Sequence, residues 1–127
     1  MKDETKKWLA YADENLRSAK VLSDNRLFNV CLQNAQQAVE KMLKALLIES
    51  DIKLRKTHSI NELVTILAAN GLSVNITEEE CELLDSIYLP SKYPLASVLP
   101  DFEPDMQTCK SCIGIAERLR NFVTDYT

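Results

Sequence analysis

A short run of cationic and titratable residues stands directly before a predicted helix and could bind an anion. Lys56 and His58 lead into Ser59, and Ser59 and Glu62 have the spacing of a capping box. The first N–H groups of a helix have no partner inside it and carry partial positive charge, which favours phosphate. We therefore predict phosphate or nucleotide contacts at Lys56 and His58. Two alternatives stay open for His58: packing with a hydrogen bond to neighbouring backbone, or acid/base chemistry.

A second group of polar side chains surrounds a proline-rich turn. Lys92 and Tyr93 stand between Pro90 and Pro94, shortly after Tyr88. Lysine can reach phosphates and tyrosine can stack on bases, so we predict that Lys92 and Tyr93 also contact a nucleotide. The alternative is that both tyrosine rings cap a helical core and keep their hydroxyl groups in water.

The polar side of a long helix in the first half of the chain offers two further cations. Lys41 and Lys44 are added to the predicted phosphate contacts. On a solvated face, a Glu40–Lys44 pair would stabilise the helix by only about 0.3–0.5 kcal/mol. The other interpretation is a contact surface, because unpaired amides suit specific hydrogen bonding. The amides concerned are Gln33, Asn34, Gln36 and Gln37.

Several kinds of site are excluded by residue counts. The chain has two glycines, far apart, so it has no glycine-rich phosphate loop, and one histidine, so it has no two-histidine site. Cys109 and Cys112 form a C-x-x-C motif without a second pair or a nearby histidine. All four cysteines lie in segments with apolar periodicity, which predicts buried free thiols and no metal or cofactor.

Composition limits the class of protein. A chain of 127 residues fits one domain, here 1–127, and the net charge of −4 argues against a protein that coats DNA without sequence preference. No apolar stretch reaches the length that a membrane span needs. The N-terminal sequence MKDETKKWLA is too polar for a signal peptide, so we expect a cytoplasmic protein.

Hydrophobic periodicity predicts an all-α protein, an up-and-down antiparallel bundle of about five helices that positions these side chains. A loop from Leu89 to Glu103 should separate the last two helices, with a short extended patch at Leu95–Leu99. The helices are predicted at about Asp3–Ser23, at about Arg26–Glu49, from Ser59 to a stop at Asn70-Gly71, from Thr77 to a stop at Pro90 and Pro94, and from Pro104 onwards.

The helix pattern also predicts a twofold homodimer. The second and fifth helices have apolar residues on more than one face, which is typical of helices with several neighbours. Ile115 and Phe122 lie about 160–180° from Met106 on a helical wheel, away from the main apolar stripe. We predict that they contact the second subunit.

Taken together, these segments resemble one known family. Ala35–Leu47 resembles the second helix of HEPN domain proteins, the higher-eukaryote and prokaryote nucleotide-binding domain. The run from Lys56 to Ile60 resembles the family's Lys-Thr-His-Asp-Leu segment, and Tyr88 to Pro94 resembles its Tyr…Arg-Tyr-Pro element. The opening helix, with Trp8, Ala12, Leu16 and Ala19, is similar as well.

The resemblance implies a helical bundle, usually dimeric and often encoded beside a minimal nucleotidyltransferase. It also implies nucleotide or RNA binding, or a role in a toxin–antitoxin pair. Many family members are ribonucleases with a histidine four to six residues after an arginine. Here Asp125, Tyr126 and Thr127 occupy the positions where a histidine would follow Arg120, so the motif is absent. Ser59 stands where the family has aspartate, and Lys92 where it has arginine.

We therefore expect a non-catalytic domain that binds a nucleotide or a minimal nucleotidyltransferase. The alternatives are a degenerate ribonuclease toxin, which would need a group titrating near neutrality, and a dimerisation scaffold without a ligand. The nucleotide interpretation requires Lys56 and Lys92 to lie at the same end of the bundle.

Overall fold

Five helices and no strand are found in the part of the chain that the structure describes. The computed structural model describes residues 1–92 and 103–127, with side chains for residues 1–88 and 103–127. The predicted all-α bundle is confirmed. The helices are α1 (Asp3–Asp24), α2 (Phe28–Glu49), α3 (Ile60–Ala69), α4 (Glu78–Lys92) and α5 (Met106–Tyr126).

Helix α2 is the centre of the core because it packs against all four other helices. Its apolar residues are so widely distributed around the helix that burial extends far beyond one stripe. Replacing one of its fully buried leucines by alanine would cost about 2–5 kcal/mol. The buried apolar residues of α2 are Cys31, Leu32, Ala35, Ala38, Val39, Met42, Leu43, Ala45, Leu46 and Leu47.

Hydrogen bonds between the helix ends define the directions of the helices. The backbone N–H of Lys2 donates to Glu49, so the start of α1 lies beside the end of α2 and the two helices are antiparallel. The thiol of Cys109 donates to the Phe28 carbonyl, which brings the starts of α2 and α5 together. Helices α2 and α5 therefore run in the same direction, with the α3–α4 hairpin between them in the chain.

Three helices end in the same motif, in which a residue with positive φ reverses the chain. Gly71 (φ 89°) has this role after α3, as the sequence predicted. Arg26 (φ 60°) and Asp51 (φ 58°) have it after α1 and α2, where no glycine marks the stop. The prediction that α2 begins at Arg26 is therefore wrong, because Arg26 belongs to the end of α1.

A reciprocal capping box begins α4. The N–H of Thr77 donates to Glu80, and the N–H of Glu80 donates to the Thr77 hydroxyl. Burial favours the neutral form of Glu80, but the Thr77 N–H and the Arg118 guanidinium outweigh it and hold the pKa of Glu80 below its usual range. Arg118 thereby also links α5 to the start of α4.

The predicted boundaries around the loop before α5 need two corrections. Helix α4 continues through Pro90 to Lys92, so the start of the predicted loop is wrong for residues 89–92. Proline has a helical φ, and its cost in a helix is mainly one missing hydrogen bond and crowding of the previous turn. Helix α5 begins at Met106 after Asp105, whose carboxylate caps it by accepting the Thr108 N–H, so Pro104 precedes the helix. The extended patch predicted at Leu95–Leu99 lies outside the described residues.

One of the two predicted subunit contacts is buried inside the chain itself. Ile115 is 4% exposed, because α5 packs against both α1 and α2 and buries a wider arc than one stripe. It has almost no surface for a second subunit, so this part of the interface prediction is corrected. Phe122 is half-buried against the core. None of the described helices is long and apolar enough to cross a membrane.

Candidate functional site

Three polar side chains spaced one helical turn apart are buried on α2. Gln36, Glu40 and Lys44 are 1%, 4% and 6% exposed, although the sequence predicts a solvated face or a contact surface here. The Lys44 ammonium lies 3.0 Å from Glu40 Oε2, and the Gln36 amide donates to Glu40 Oε1 at 3.4 Å. Moving two charges out of water is costly. Loss of one partner therefore destabilises the protein far more in a buried ion pair than in a surface pair.

The buried carboxylate of Glu40 orients the only histidine of the chain. His58 Nδ1 lies 3.1 Å from Glu40 Oε2 and 3.3 Å from Oε1. A carboxylate accepts hydrogen bonds, so Nδ1 carries the proton and the second ring nitrogen, Nε2, is left for other partners. The ring stacks on Tyr88 with centroids 5.0 Å apart and planes inclined by 14°. The packing alternative for His58 is met in an altered form, because the ring packs on Tyr88 but its hydrogen-bond partner is a side-chain carboxylate and not neighbouring backbone. The side chain stays 51% exposed, and the acid/base alternative stays a prediction.

The N-terminus of α3 beside His58 is already occupied by a carboxylate. Asp85 of α4 accepts hydrogen bonds from the backbone N–H of Ile60 at 2.6 Å and of Asn61 at 3.1 Å. The Ser59 hydroxyl donates to the same carboxylate and accepts the Glu62 N–H. The N–H groups that were predicted to bind phosphate are therefore taken. This correction follows from a tertiary contact, because Asp85 belongs to another helix.

A small open cavity of about 280 Å³ lies between these groups. It is lined by His58, Ser59, Asp85 and Tyr88. The volume is just below the range typical of small-molecule sites, and it suits one planar ring better than a whole nucleotide. Since Asp85 adds negative charge to the lining, the phosphate of a ligand would have to point away from α3.

Exposed cations are found in the segment between α2 and α3 that leads to His58. Lys53, Arg55 and Lys56 are all exposed, whereas Leu54 packs against the core and anchors the segment. These cations precede His58 by two to five residues, so the segment carries positive charge close to the exposed ring. Lys56 is the predicted residue among them, and Arg55 adds a guanidinium that can form two parallel hydrogen bonds with a phosphate.

The second predicted element reaches this region through α4. Tyr88 stacks on His58, and α4 ends at Lys92 four residues later, so the Lys92 backbone is about 6 Å further along the helix axis. The side chain of Lys92 and all of Tyr93 lie outside the described residues. Their predicted contacts with a nucleotide stay predictions.

The two α2 lysines have partners inside the chain. Lys41 Nζ lies 2.6 Å from Asn15 Oδ1 and 5.9 Å from the centre of the Tyr11 ring. Lys44 Nζ pairs with Glu40 and lies 5.9 Å from the centre of the Trp8 ring. Both cations thus occupy one face of an aromatic ring of α1, and Lys44 is too buried to meet a phosphate directly.

The C-terminal arginine of the ribonuclease-like pattern is also engaged. Arg120 forms a bidentate salt bridge with Asp13 of α1, with Nε 2.7 Å from Oδ1 and Nη2 3.2 Å from Oδ2.

The cysteine thiols are buried. Burial raises the pKa of Cys109 and Cys112 to about 12, and each sulfur has a neighbouring cysteine that raises its pKa further. Such thiols are protonated at neutral pH and pack as core residues.

Four side chains that surround the predicted site residues have a place that the sequence does not predict. The sequence predicts a solvated pair for Glu40 and no site role for Asp85, Trp8 or Tyr11. A signal existed for Glu40, because Gln36, Glu40 and Lys44 repeat every fourth residue between apolar positions on both sides. No local signal identifies Asp85, since only the packing of α4 on α3 brings it to the helix end.

The fold and the site define an all-α bundle protein whose buried ion pair holds a single histidine at the surface, stacked on a tyrosine. The HEPN domain family model matches residues 5–126, and the chain belongs to this family. The crystal structure of TT1696 from Thermus thermophilus is similar, with a TM-score of 0.80 and 26% sequence identity, covering 99% of this chain and 100% of that one. The crystal structure of ST0689, described as an archaeal HEPN homologue, has a TM-score of 0.73 and 26% identity, covering 99% and 98%. No curated protein is a significant match.

Proposed function

We propose that this chain is a non-catalytic HEPN domain that binds a nucleotide at the His58 site. The observation that carries the proposal is the His58 ring: Glu40 fixes its orientation, Tyr88 supports one face, and half of the side chain stays exposed beside a cavity. A ring held in this way loses little conformational freedom when a base stacks on it.

The surrounding charges support a ligand that carries phosphate. Lys53, Arg55 and Lys56 are exposed in the segment that ends at His58. Each hydrogen bond between such a cation and a phosphate contributes about 1.5–3 kcal/mol, and association costs reduce the sum to micromolar affinity at best. Only one imidazole is present and Arg120 is bound to Asp13, which supports binding over cleavage of RNA.

The test uses the single histidine as a reporter. Titration with AMP, ATP, UMP and inorganic phosphate should shift the imidazole signals of His58 in proton NMR spectra, and calorimetry should give a Kd below about 1 mM for a nucleotide. The Lys56→Ala variant should weaken binding about five-fold or more, because it removes one charge-assisted contact.

Lys110→Ala is the matched control, since it removes the same charge from an exposed position of α5 next to Cys109, which contacts the start of α2 at Phe28, about 18 Å along that helix from Glu40 and His58. It should leave the affinity unchanged. Equal weakening by both variants would mean that only overall charge matters, and no binding below 1 mM would refute the proposal.

A second candidate function, assembly with another protein, is supported by an exposed apolar patch. Val21, Leu27 and Val30 are 55%, 51% and 41% exposed and lie around the turn between α1 and α2. Exposed apolar patches of this kind mark protein contacts. We propose that a second copy of the chain covers the patch in a twofold dimer. The alternative occupant is a minimal nucleotidyltransferase, as the partner in a toxin–antitoxin pair.

Light scattering at tens of micromolar should then give about twice the 14.4 kDa mass of one chain. The Leu27→Glu variant should shift the protein to a monomer, because it introduces a charge at the apolar contact. Lys6→Glu, a charge reversal at an exposed position near the start of α1 and so at the other end of that helix from the patch, is the control. A wild-type mass near that of one chain would refute the homodimer, and a different protein would then be the candidate partner of the patch.

A further inference from the structure

A second cleft lies on α1, separate from the His58 cavity. It has a volume of about 620 Å³ and is lined by Asp3, Glu4, Lys7, Trp8 and Tyr11. This volume is within the range of small-molecule sites. Tyr11 is 61% exposed, although a large aromatic side chain on a helix surface gains nothing from contact with water. The cleft therefore offers aromatic surface to a ligand.

The electrostatics of the two rings favour a planar, uncharged ligand group over an amine. Lys44 and Lys41 each lie 5.9 Å from the centre of a ring, Trp8 and Tyr11 respectively, and so occupy one face of each. A cation on one face draws electron density from the ring, which weakens attraction for a second cation on the other face. A nucleobase can still stack there, and Asp3 and Glu4 can accept hydrogen bonds from its amino groups.

The buried ion pair connects this cleft to His58. Lys44 is under the Trp8 ring and 3.0 Å from Glu40, and Glu40 is 3.1 Å from His58 Nδ1. Trp8 of α1 and His58 of the segment before α3 thus contact the same ion pair, and both polar contacts are made to the same oxygen of Glu40. The centre of the Trp8 ring therefore lies within about 12 Å of His58 Nδ1, so the two aromatic sites are neighbours.

We infer that the two sites form one surface for single-stranded nucleic acid, with one base on His58 and another in the Trp8–Tyr11 cleft. The inference rests on the proposed function at His58 and extends it from a nucleotide to a strand of at least two nucleotides. Stacking on aromatic side chains tolerates any base, so sequence preference should be weak. With two or three phosphates neutralised, the slope of log K against log salt should be only about −1.4 to −2.

The only tryptophan of the chain, Trp8, reports on the cleft directly through its fluorescence. Titrations should compare AMP, the adenine dinucleotide and the hexanucleotide, the last as RNA, as DNA and as a duplex. The single-stranded hexanucleotide should quench Trp8 and bind roughly 5- to 100-fold more tightly than AMP, since each stacked base adds about this factor. Equal binding of RNA and DNA would identify stacking as the main contact, and tighter binding of RNA would add contacts to the 2′-hydroxyl.

Tyr11→Ala is the decisive variant, because the side chain is exposed and Trp8 remains as the reporter. It should remove most of the gain for the hexanucleotide and leave AMP binding, followed by the His58 signals, unchanged. Gln107→Ala, at an exposed position in the first turn of α5 and so at the end of the bundle away from the start of α1, is the control and should change neither.

The inference is overturned if the hexanucleotide binds no more tightly than AMP, if Trp8 fluorescence stays constant, or if the duplex binds as well as the single strand. In each of these cases AMP still shifts the His58 signals and the proposed function stands. If neither AMP nor the strand shifts the His58 signals, the proposed function fails as well.

Discussion

Replacing Lys44 by methionine is expected to lower the free energy of unfolding by about 3–5 kcal/mol. Methionine fills similar space, but it leaves the Glu40 charge buried at 4% exposure without its cation, which is the most costly way to break such a pair. Urea unfolding followed by the fluorescence of Trp8 and by circular dichroism measures the change. A solvated pair of the same spacing would lose only about 0.3–0.5 kcal/mol.

The double variant Glu40→Gln, Lys44→Met provides the control for this prediction. It removes both charges, and the glutamine oxygen can still accept a hydrogen bond from His58 Nδ1. We expect most of the lost stability to return, because no unpaired charge remains in the core. If Lys44→Met costs less than about 1 kcal/mol, the ion pair is hydrated and the support for His58 is weaker than the structure indicates.

The same double variant separates orientation from stability. The amide holds the His58 ring less strongly than a carboxylate does, because a hydrogen bond to a charged group is worth about 1.5–3 kcal/mol and a neutral one about 1 kcal/mol. Nucleotide affinity should fall in the double variant even when the protein is fully folded. Unchanged affinity would mean that Glu40 only stabilises the core.

Replacing Asp85 by alanine is expected to have the second largest effect, a loss of about 2–3 kcal/mol. Its carboxylate accepts hydrogen bonds from two N–H groups at the start of α3 and from the Ser59 hydroxyl, so the loss exceeds that of an ordinary helix cap. Asp125→Ala, at an exposed position of α5, is the control and should stay within about 0.5 kcal/mol of the wild type.

Asp85→Ala should also strengthen the binding of inorganic phosphate and nucleotides. The substitution removes a negative charge from the lining of the His58 cavity and frees the N–H groups at the start of α3, which can then bind an anion. Calorimetry at a temperature where the variant is folded should show a gain of several-fold. A loss of affinity would show that Asp85 binds the ligand itself, for example by accepting a hydrogen bond from a base.

The helices and their stops could largely be predicted from sequence because these features depend on neighbours within one turn. The Thr77–Glu80 capping box and the Gly71 stop of α3 both formed as expected. The stop at Arg26 was missed, because a non-glycine residue takes positive φ only when packing of the adjacent helices requires the reversal. The residues around Arg26 in the sequence do not show how α1 and α2 pack, so they do not predict the positive φ.

The sequence by itself determined an all-α bundle, its family, and the presence of cationic and aromatic residues around one histidine. Only the tertiary structure decided which of these groups are free. Lys44 and Glu40 are buried because α1 and the segment before α3 cover them, and Asp85 takes the α3 N-terminus because α4 packs there. Burial and long-range hydrogen bonds depend on residues that are distant in the chain, so a pattern of spacings can name charged groups but cannot show which are already paired.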